Sequence, residues 1–388
     1  MGFTSMDDFI NQVTVNAKYL RVDNAKLTAP VHTAGGWHLL AGLAGSPNAT
    51  TFPSAQDLVM QQCTELGGDS ASASLFGIRN GGIPGGTATK HLTNIGASIV
   101  AAAGAPWQLK LVDILAYYRL STTNVTGTGS RTLINSNTFT ASSSSGLLLT
   151  YTNDFNTFSK VRFTTTTTLP TGLSAGVDYW IVRVSATTCR VATSLANAIA
   201  GSVIAYTDAG TGTHTMTMQM PRYTDGVGAE AMFVVQTQPT GGGPTLSATS
   251  YTNTAGTAGR AIQGSVTFGA TADAYATRVI HSGNAAGRYG PFLPKQGGDT
   301  GIKSFESFTW SAGTAYTGTG VVALVICRPL ADIHIPATGV WSERDLMNQL
   351  PSLPQIQDGA CLAWMLFGTG ATTTASPVTS VLDFTWGG

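Results

Sequence analysis

The sequence predicts a mainly β protein: a β-sandwich or jelly-roll-like host domain with short N-terminal helices and a small β domain inserted into it. Three observations lead there. Short runs rich in β-branched and aromatic residues are separated by Gly, Pro and Ser/Thr turn signals, the pattern of sandwiches and barrels. Residues 213–220 alternate Thr and Gln with His214, Met216, Met218 and Met220, the period-two signature of a half-buried strand. Residues 321–327 are continuously apolar, as in a strand buried on both faces.

Residues 1–30 read as a helical arm. Ser5 is a candidate N-cap, with Asp7 and Asp8 placed to meet the positive end of the helix. Phe9, Ile10 and Val13 then form an apolar stripe. With Phe3 they are the candidate assembly interface, docked either on their own subunit or on a neighbour. Residues 31–125 and 221–388 read as the host β-sandwich region, as one unit or two subdomains, and residues 126–220 as the inserted module. Ser54-Ala55-Gln56-Asp57 has the form of a capping box ahead of Leu58, Val59, Met60 and Cys63, which predicts a helix ended by Gly67-Gly68. Residues 77–86 form a glycine-rich loop, but no Gly-Lys-Ser/Thr follows to make it a phosphate loop.

Residues 108–120 read as a long buried strand, and apolar patterning resumes at residues 231–235. The module between them is rich in Ser and Thr. Leu169-Pro170-Thr171-Gly172 is turn chemistry, residues 178–184 read as a strand, and residues 164–168 as an exposed strand or extended connector. Downstream, residues 246–251, 261–268, 302–310, 321–327, 362–367 and 381–386 read as strands. Ser342-Glu343-Arg344-Asp345 reads as the cap of a short helix running to Leu350.

Charge is scarce: 20 basic and 20 acidic residues cancel, and charged residues make up only 10% of the chain, against a usual quarter. Such a balance gives no footprint for nucleic acid or an anionic membrane. It also leaves little repulsion between copies, so the surface is expected to be covered by neighbours. The four cysteines, Cys63, Cys189, Cys327 and Cys361, have no metal-ligand spacing. Cys327 and Cys361 read as small buried hydrophobes, which suits assembly in a reducing cytoplasm. No secretory leader and no bilayer-spanning apolar run is legible.

No catalytic motif is present: there is no Gly-x-Ser-x-Gly, His-Glu-x-x-His, dinucleotide fingerprint or Walker loop. The histidines at 32, 38, 91, 214, 281 and 334 are scattered, and His214 and His334 read as satisfied strand imidazoles. Asp332, Glu343, Asp345, Asp358 and Asp383 come nearest to a carboxylate cluster, yet capping and turns account for them equally well. No catalytic, cofactor-binding or metal-ligating residue is assigned, and no cofactor is expected.

Several phrases carry a resemblance. Leu169-Pro170-Thr171-Gly172-Leu173-Ser174-Ala175-Gly176-Val177-Asp178-Tyr179-Trp180, then Ala196-Asn197-Ala198-Ile199-Ala200-Gly201, then Asp208-Ala209-Gly210-Thr211-Gly212-Thr213-His214 resemble a small β module recurring in bacteriophage tail proteins. Host phrases, among them Thr89-Lys90-His91-Leu92, Pro221-Arg222-Tyr223-Thr224-Asp225-Gly226, Gly290-Pro291-Phe292-Leu293-Pro294 and Leu353-Pro354, resemble uncharacterised phage structural proteins. The resemblance implies a non-enzymatic virion protein assembled in the host cytoplasm, most plausibly a capsid decoration or cement subunit. Its partners would be copies of itself, as a trimer or hexamer, and other virion proteins. A tail tube or other tail component is the first alternative. A virion-surface receptor or glycan-binding protein, using Tyr179 and Trp180 as sugar platforms, is the second.

Overall fold

A computed structural model describes residues 3–26, 35–42, 45–46, 58–60, 89–100, 105–121, 129–133, 135–142, 148–152, 155–237, 240–241, 245–264, 266–267, 279–280, 290–311, 316–317, 321–348, 353–357, 359–370 and 377–387. The chain is mainly β, and every ladder between its strands is antiparallel. Two 15-residue strands, Trp107–Ser121 and Val321–Ile335, pair along their whole length and form its spine. Where they cross the middle of the molecule both are apolar on both faces: residues 114–118 and 322–327 are at most 2% exposed. The central sheet continues outward from this pair through Glu230–Thr237 on one side, and through Leu362–Gly368 and Gly36–Leu39 on the other.

Each half of the spine supports a different core. Along one half, Trp107, Leu109, Leu111 and Ile333 pack against Leu92, Ile95, Leu382 and Phe384 of a six-stranded outer sheet. That sheet holds Ser342–Asp345, Lys90–Ile99, Val378–Trp386 and Tyr19–Lys26 in this order. Along the other half, Leu115, Tyr118, Leu324 and Ile326 pack against Leu246, Phe305 and Phe308. Those three come from a four-stranded sheet containing Thr245–Asn253, Ile302–Ser311 and Gly129–Thr132. A register shift opposite Leu115, between Ile326 and Cys327, separates the halves; such a bulge kinks the pair and re-aims its side chains.

Between residues 136 and 218, six strands close into a barrel: Ser136–Ser142, Leu148–Tyr151, Lys160–Thr165, Asp178–Arg183, Thr188–Ala192 and His214–Met218. Phe139, Leu149, Val161, Phe163, Ile181 and Met216 fill its inside, and threonines alternate with them on the outside, as period-two strands require. The central-sheet strands before and after the barrel in sequence, Trp107–Ser121 and Glu230–Thr237, sit on either side of Val321–Ile335. Met218 donates its backbone N–H to Asn135 O at 2.8 Å, so the barrel leaves and rejoins the host at adjacent points.

Four expectations are corrected. Among the described residues of the arm at 1–30, only Met6–Thr14 is helical; Tyr19–Lys26 pairs residue for residue with residues 378–385, because Leu20 and Val22 gain a place on the outer-sheet core. In the stretch with the capping box, Leu58–Met60 is a strand on Trp107–Ser121; sheet pairing overrides the local helix signal there, and the rest of that stretch lies outside the described residues, as does the 77–86 loop. Ser342–Asp345 is a strand on Lys90–Ile99. Asp345 closes a turn instead of capping a helix, accepting from Met347 N at 2.8 Å. Gly129–Thr132 belongs to the four-stranded sheet, so the barrel begins later than residue 126. Among the elements that went unforeseen are the strands Lys90–Ile99, Ser136–Ser142, Leu148–Tyr151 and Thr188–Ala192 and the short helix Leu195–Ile199, N-capped by Ser194, whose Oγ accepts from Asn197 N at 3.0 Å.

Candidate functional site

Several described side chains able to do acid–base chemistry have structural partners. His214 contacts Thr165 Oγ1 through Nδ1 at 2.8 Å and Ala209 O through Nε2 at 3.0 Å. Asp383 takes both arms of the Arg21 guanidinium at 2.8 Å and an amide proton from Asn94 at 3.1 Å. Burial pushes its carboxyl up, but these bonds outweigh burial and leave it below the ordinary range. Asp332 pairs with Arg344 and accepts from Gln108. Asp332, Glu343 and His334 do line one open cleft, while Asp345 and Asp383 lie elsewhere in the outer sheet and Asp358, His32 and His281 lie outside the described residues. Among the described residues no three His, Cys, Asp or Glu side chains are grouped to hold a metal. Cys189, Cys327 and Cys361 are buried free thiols; burial raises the Cys189 and Cys327 pKa values, which removes thiolate reactivity.

Three of the host phrases, at 89–92, 221–226 and 353–354, meet at one place. Asp113, inside an apolar strand between Leu111 of one core and Leu115 of the other, is fully buried. Arg222, at the exit from the barrel, forks onto it with Nε–Oδ2 at 2.8 Å and Nη2–Oδ1 at 2.6 Å. The guanidinium also donates to Gly359 O and Ile114 O, and Asp113 accepts from Cys361 N at 2.9 Å. Burial disfavours the cation, yet the attraction and hydrogen bonding of Asp113 hold the Arg222 pKa above its ordinary value. Tyr223, with φ +47°, lies 4.0 Å beneath the Arg328 guanidinium and donates its hydroxyl to Gln355 O. Gln355 in turn pairs with His91, and Leu92 N donates to Pro354 O. This junction locks barrel exit, spine and outer sheet together. Sequence reasoning did not assign it a role, although a carboxylate inside an apolar run was a signal for a buried partner.

The candidate assembly residues stand at the far end of the same chain of contacts. Phe3 packs edge-on against Phe9 at 5.0 Å and against the His91 ring at 5.4 Å. Burial lowers the His91 pKa. Phe3, Phe9 and Val13 are half-buried, whereas Ile10 is 47% exposed, and no residue of the helix is buried. Met6, Val15 and Tyr19 are exposed beside it.

Tyr179 does not form a sugar platform. It is a core residue at 3% exposure, and its hydroxyl accepts from Ser174 N at 2.9 Å. Trp180 is half-buried, with Lys160 Nζ 5.9 Å from its ring centre. The barrel carries a different concavity, an open cleft of about 560 Å³ between its first hairpin and the 209–213 loop.

No family model matches the chain, and no curated protein matches it. A solved structure of infectious bursal disease virus, Gx strain, aligns over 97% of this chain and 86% of that one, at 10% identity and a TM-score of 0.17. A likeness at that level carries no argument about fold or function, and membership of a family is not shown.

Proposed function

We propose that this chain is a non-enzymatic structural protein of a bacteriophage particle, a capsid-associated decoration or cement subunit working as a closed oligomer of copies of itself. The observation that carries the reading is the N-terminal segment. Met6 and Ile10 on the helix, and Val15 and Tyr19 just after it, are all more than 40% exposed, and no residue of the helix is fully buried. An apolar strip of this kind is favourable only when a neighbour covers it. The near absence of charge repulsion acts in the same direction. Phe3, Phe9, Ile10 and Val13 would then carry a contact burying about 1,000 Å² or more, and rotational symmetry would close the ring. The resemblance of the barrel segment to a phage tail module supports a tail position as the second reading.

Light scattering on the eluting protein tests the oligomer directly. A trimer or hexamer that falls to a monomer in Ile10→Asp is the expected result. A wild-type monomer at tens of micromolar would overturn it. Cryo-EM of intact particles then distinguishes head from tail.

A further inference from the structure

We propose that the outer wall of the barrel holds a binding site for a neutral carbohydrate, in the cleft between the Ser136–Ser142/Leu148–Tyr151 hairpin and the 209–213 loop. This goes beyond the shell role and does not depend on it. The lining is the first reason. Thr138, Thr140, Thr150, Thr152 and Thr213 supply hydroxyls to the cleft, and no charged side chain lines it. The charged Lys160, Arg162 and Asp178 sit on strands that do not line it, both cations paired with the one carboxylate, at 3.2 Å and 2.5 Å. A neutral wall would leave a charged ligand desolvated and unpaired, which selects against it. A hydroxyl both donates and accepts, so a row of them matches a ligand that is itself a row of hydroxyls.

Register is the second reason. Thr140 lies opposite Thr150, and Thr150 opposite Thr188. Side chains facing each other across an antiparallel ladder point to the same side, so three threonines stand in a line at about 4.8 Å per strand; Thr140 and Thr150 line the cleft and Thr188, bonded to Ser185 Oγ at 2.7 Å, continues the row beyond it. Thr138 repeats along the strand roughly 7 Å away. Phe139 and Tyr151, opposite each other in the same hairpin, are buried in the barrel core and back this wall from inside.

Rigidity is the third. Thr211 and Thr168 exchange backbone hydrogen bonds at 2.8 and 3.1 Å. Asp208 accepts from Thr171 N and Gly210 N at 3.2 and 2.9 Å, and His214 holds Ala209 O. Gly210, at φ +67°, lets the loop approach so closely that a Cβ there would lie 2.5 Å from Thr168 O. A wall fixed before the ligand arrives costs little ordering on binding. The Asp208–His214 phrase thereby acquires a role as one side of a site.

The test is a glycan array holding neutral gluco-, galacto- and manno-oligosaccharides beside sialylated and sulfated ones, probed with the labelled full chain. The best neutral binder is then titrated calorimetrically. Binding to a neutral glycan is expected, weakened at least tenfold in Thr140→Val/Thr150→Val at unchanged melting temperature, since valine keeps the β-branch and shape. Ala209→Trp, which fills the cleft from an exposed loop position, should do the same and stands in should the double variant fail to fold. Absence of neutral-glycan binding, binding to acidic glycans alone, or full affinity in the variants would overturn the proposal. The oligomeric mass, measured separately, is unaffected by any of these outcomes.

Discussion

Arg222→Met is the most informative single change at the junction. It removes the cation and leaves the Asp113 carboxylate at 0% exposure, with Cys361 N as its remaining donor among the bonds described above. Breaking a buried ion pair from one side costs about 3–5 kcal/mol. Unfolding entropy of roughly 2.1 cal/mol/K per residue, taken over 388 residues, gives roughly 0.8 kcal/mol/K, so the melting temperature should fall by about 4–6 °C. Asp113→Leu should cost a similar amount, because Arg222 would then be a buried cation without its carboxylate, although the carbonyls of Gly359 and Ile114 still accept from it. The double variant should recover much of the loss, short of wild type by the roughly 1–3 kcal/mol of a carbonyl left unpaired. Scanning calorimetry of the four proteins closes the cycle. A drop below 1 °C for Arg222→Met, or single losses that simply add in the double variant, would refute the view that this pair locks the barrel to the spine.

Three further outcomes follow from the geometry. Asp299 receives Arg260 at 3.0 Å, Tyr251 Oη at 2.5 Å and Asn253 at 2.8 Å, and these bonds, Arg260 first, hold its pKa at about 2. A carboxyl depressed below its unfolded value of about 3.9 contributes stability that is complete above that value and lost as pH falls toward 2. Melting temperature measured from pH 5 to pH 2 should therefore drop more steeply in wild type than in Asp299→Asn. Gly301→Ala should abolish soluble expression, since its Cβ would sit 1.9 Å from Gly226 O. Gly256→Ala, in open space at φ +80°, should cost only about 1–2 kcal/mol of left-handed strain, and equal losses in the two variants would contradict the close approach at Gly301. Excising residues 136–218 and bridging Asn135 to Gln219 with two glycines should leave a folded host of lower melting temperature, because the ends already touch. Insoluble product would argue against an inserted module.

What the sequence disclosed was whatever one face of one strand could write into it. The alternation from His214 to Met218 appears in the structure as alternating burial, and the apolar run at Val322–Cys327 is buried on both faces. Tertiary pairing was the hidden part. Ser342-Glu343-Arg344-Asp345 carries good cap chemistry, yet Lys90–Ile99 offers it a strand partner more than two hundred residues away. Tyr179 and Trp180 are neighbours of similar chemistry, and only barrel closure decides that one faces the core and the other does not. The cleft was illegible for the same reason: Thr140, Thr150 and Thr188 become a row only once three strands are in register.

The paired 15-residue strands have a mechanical consequence. Both cores are clamped to the same two-stranded girder, so a force applied at the barrel travels along hydrogen-bonded backbone to the outer sheet and the N-terminal helix. Antiparallel pairing over such a length loads many bonds together when sheared lengthwise, instead of opening them one by one. A chain built this way is stiff from its barrel to its outer sheet, and whatever tugs on the one is felt at the other.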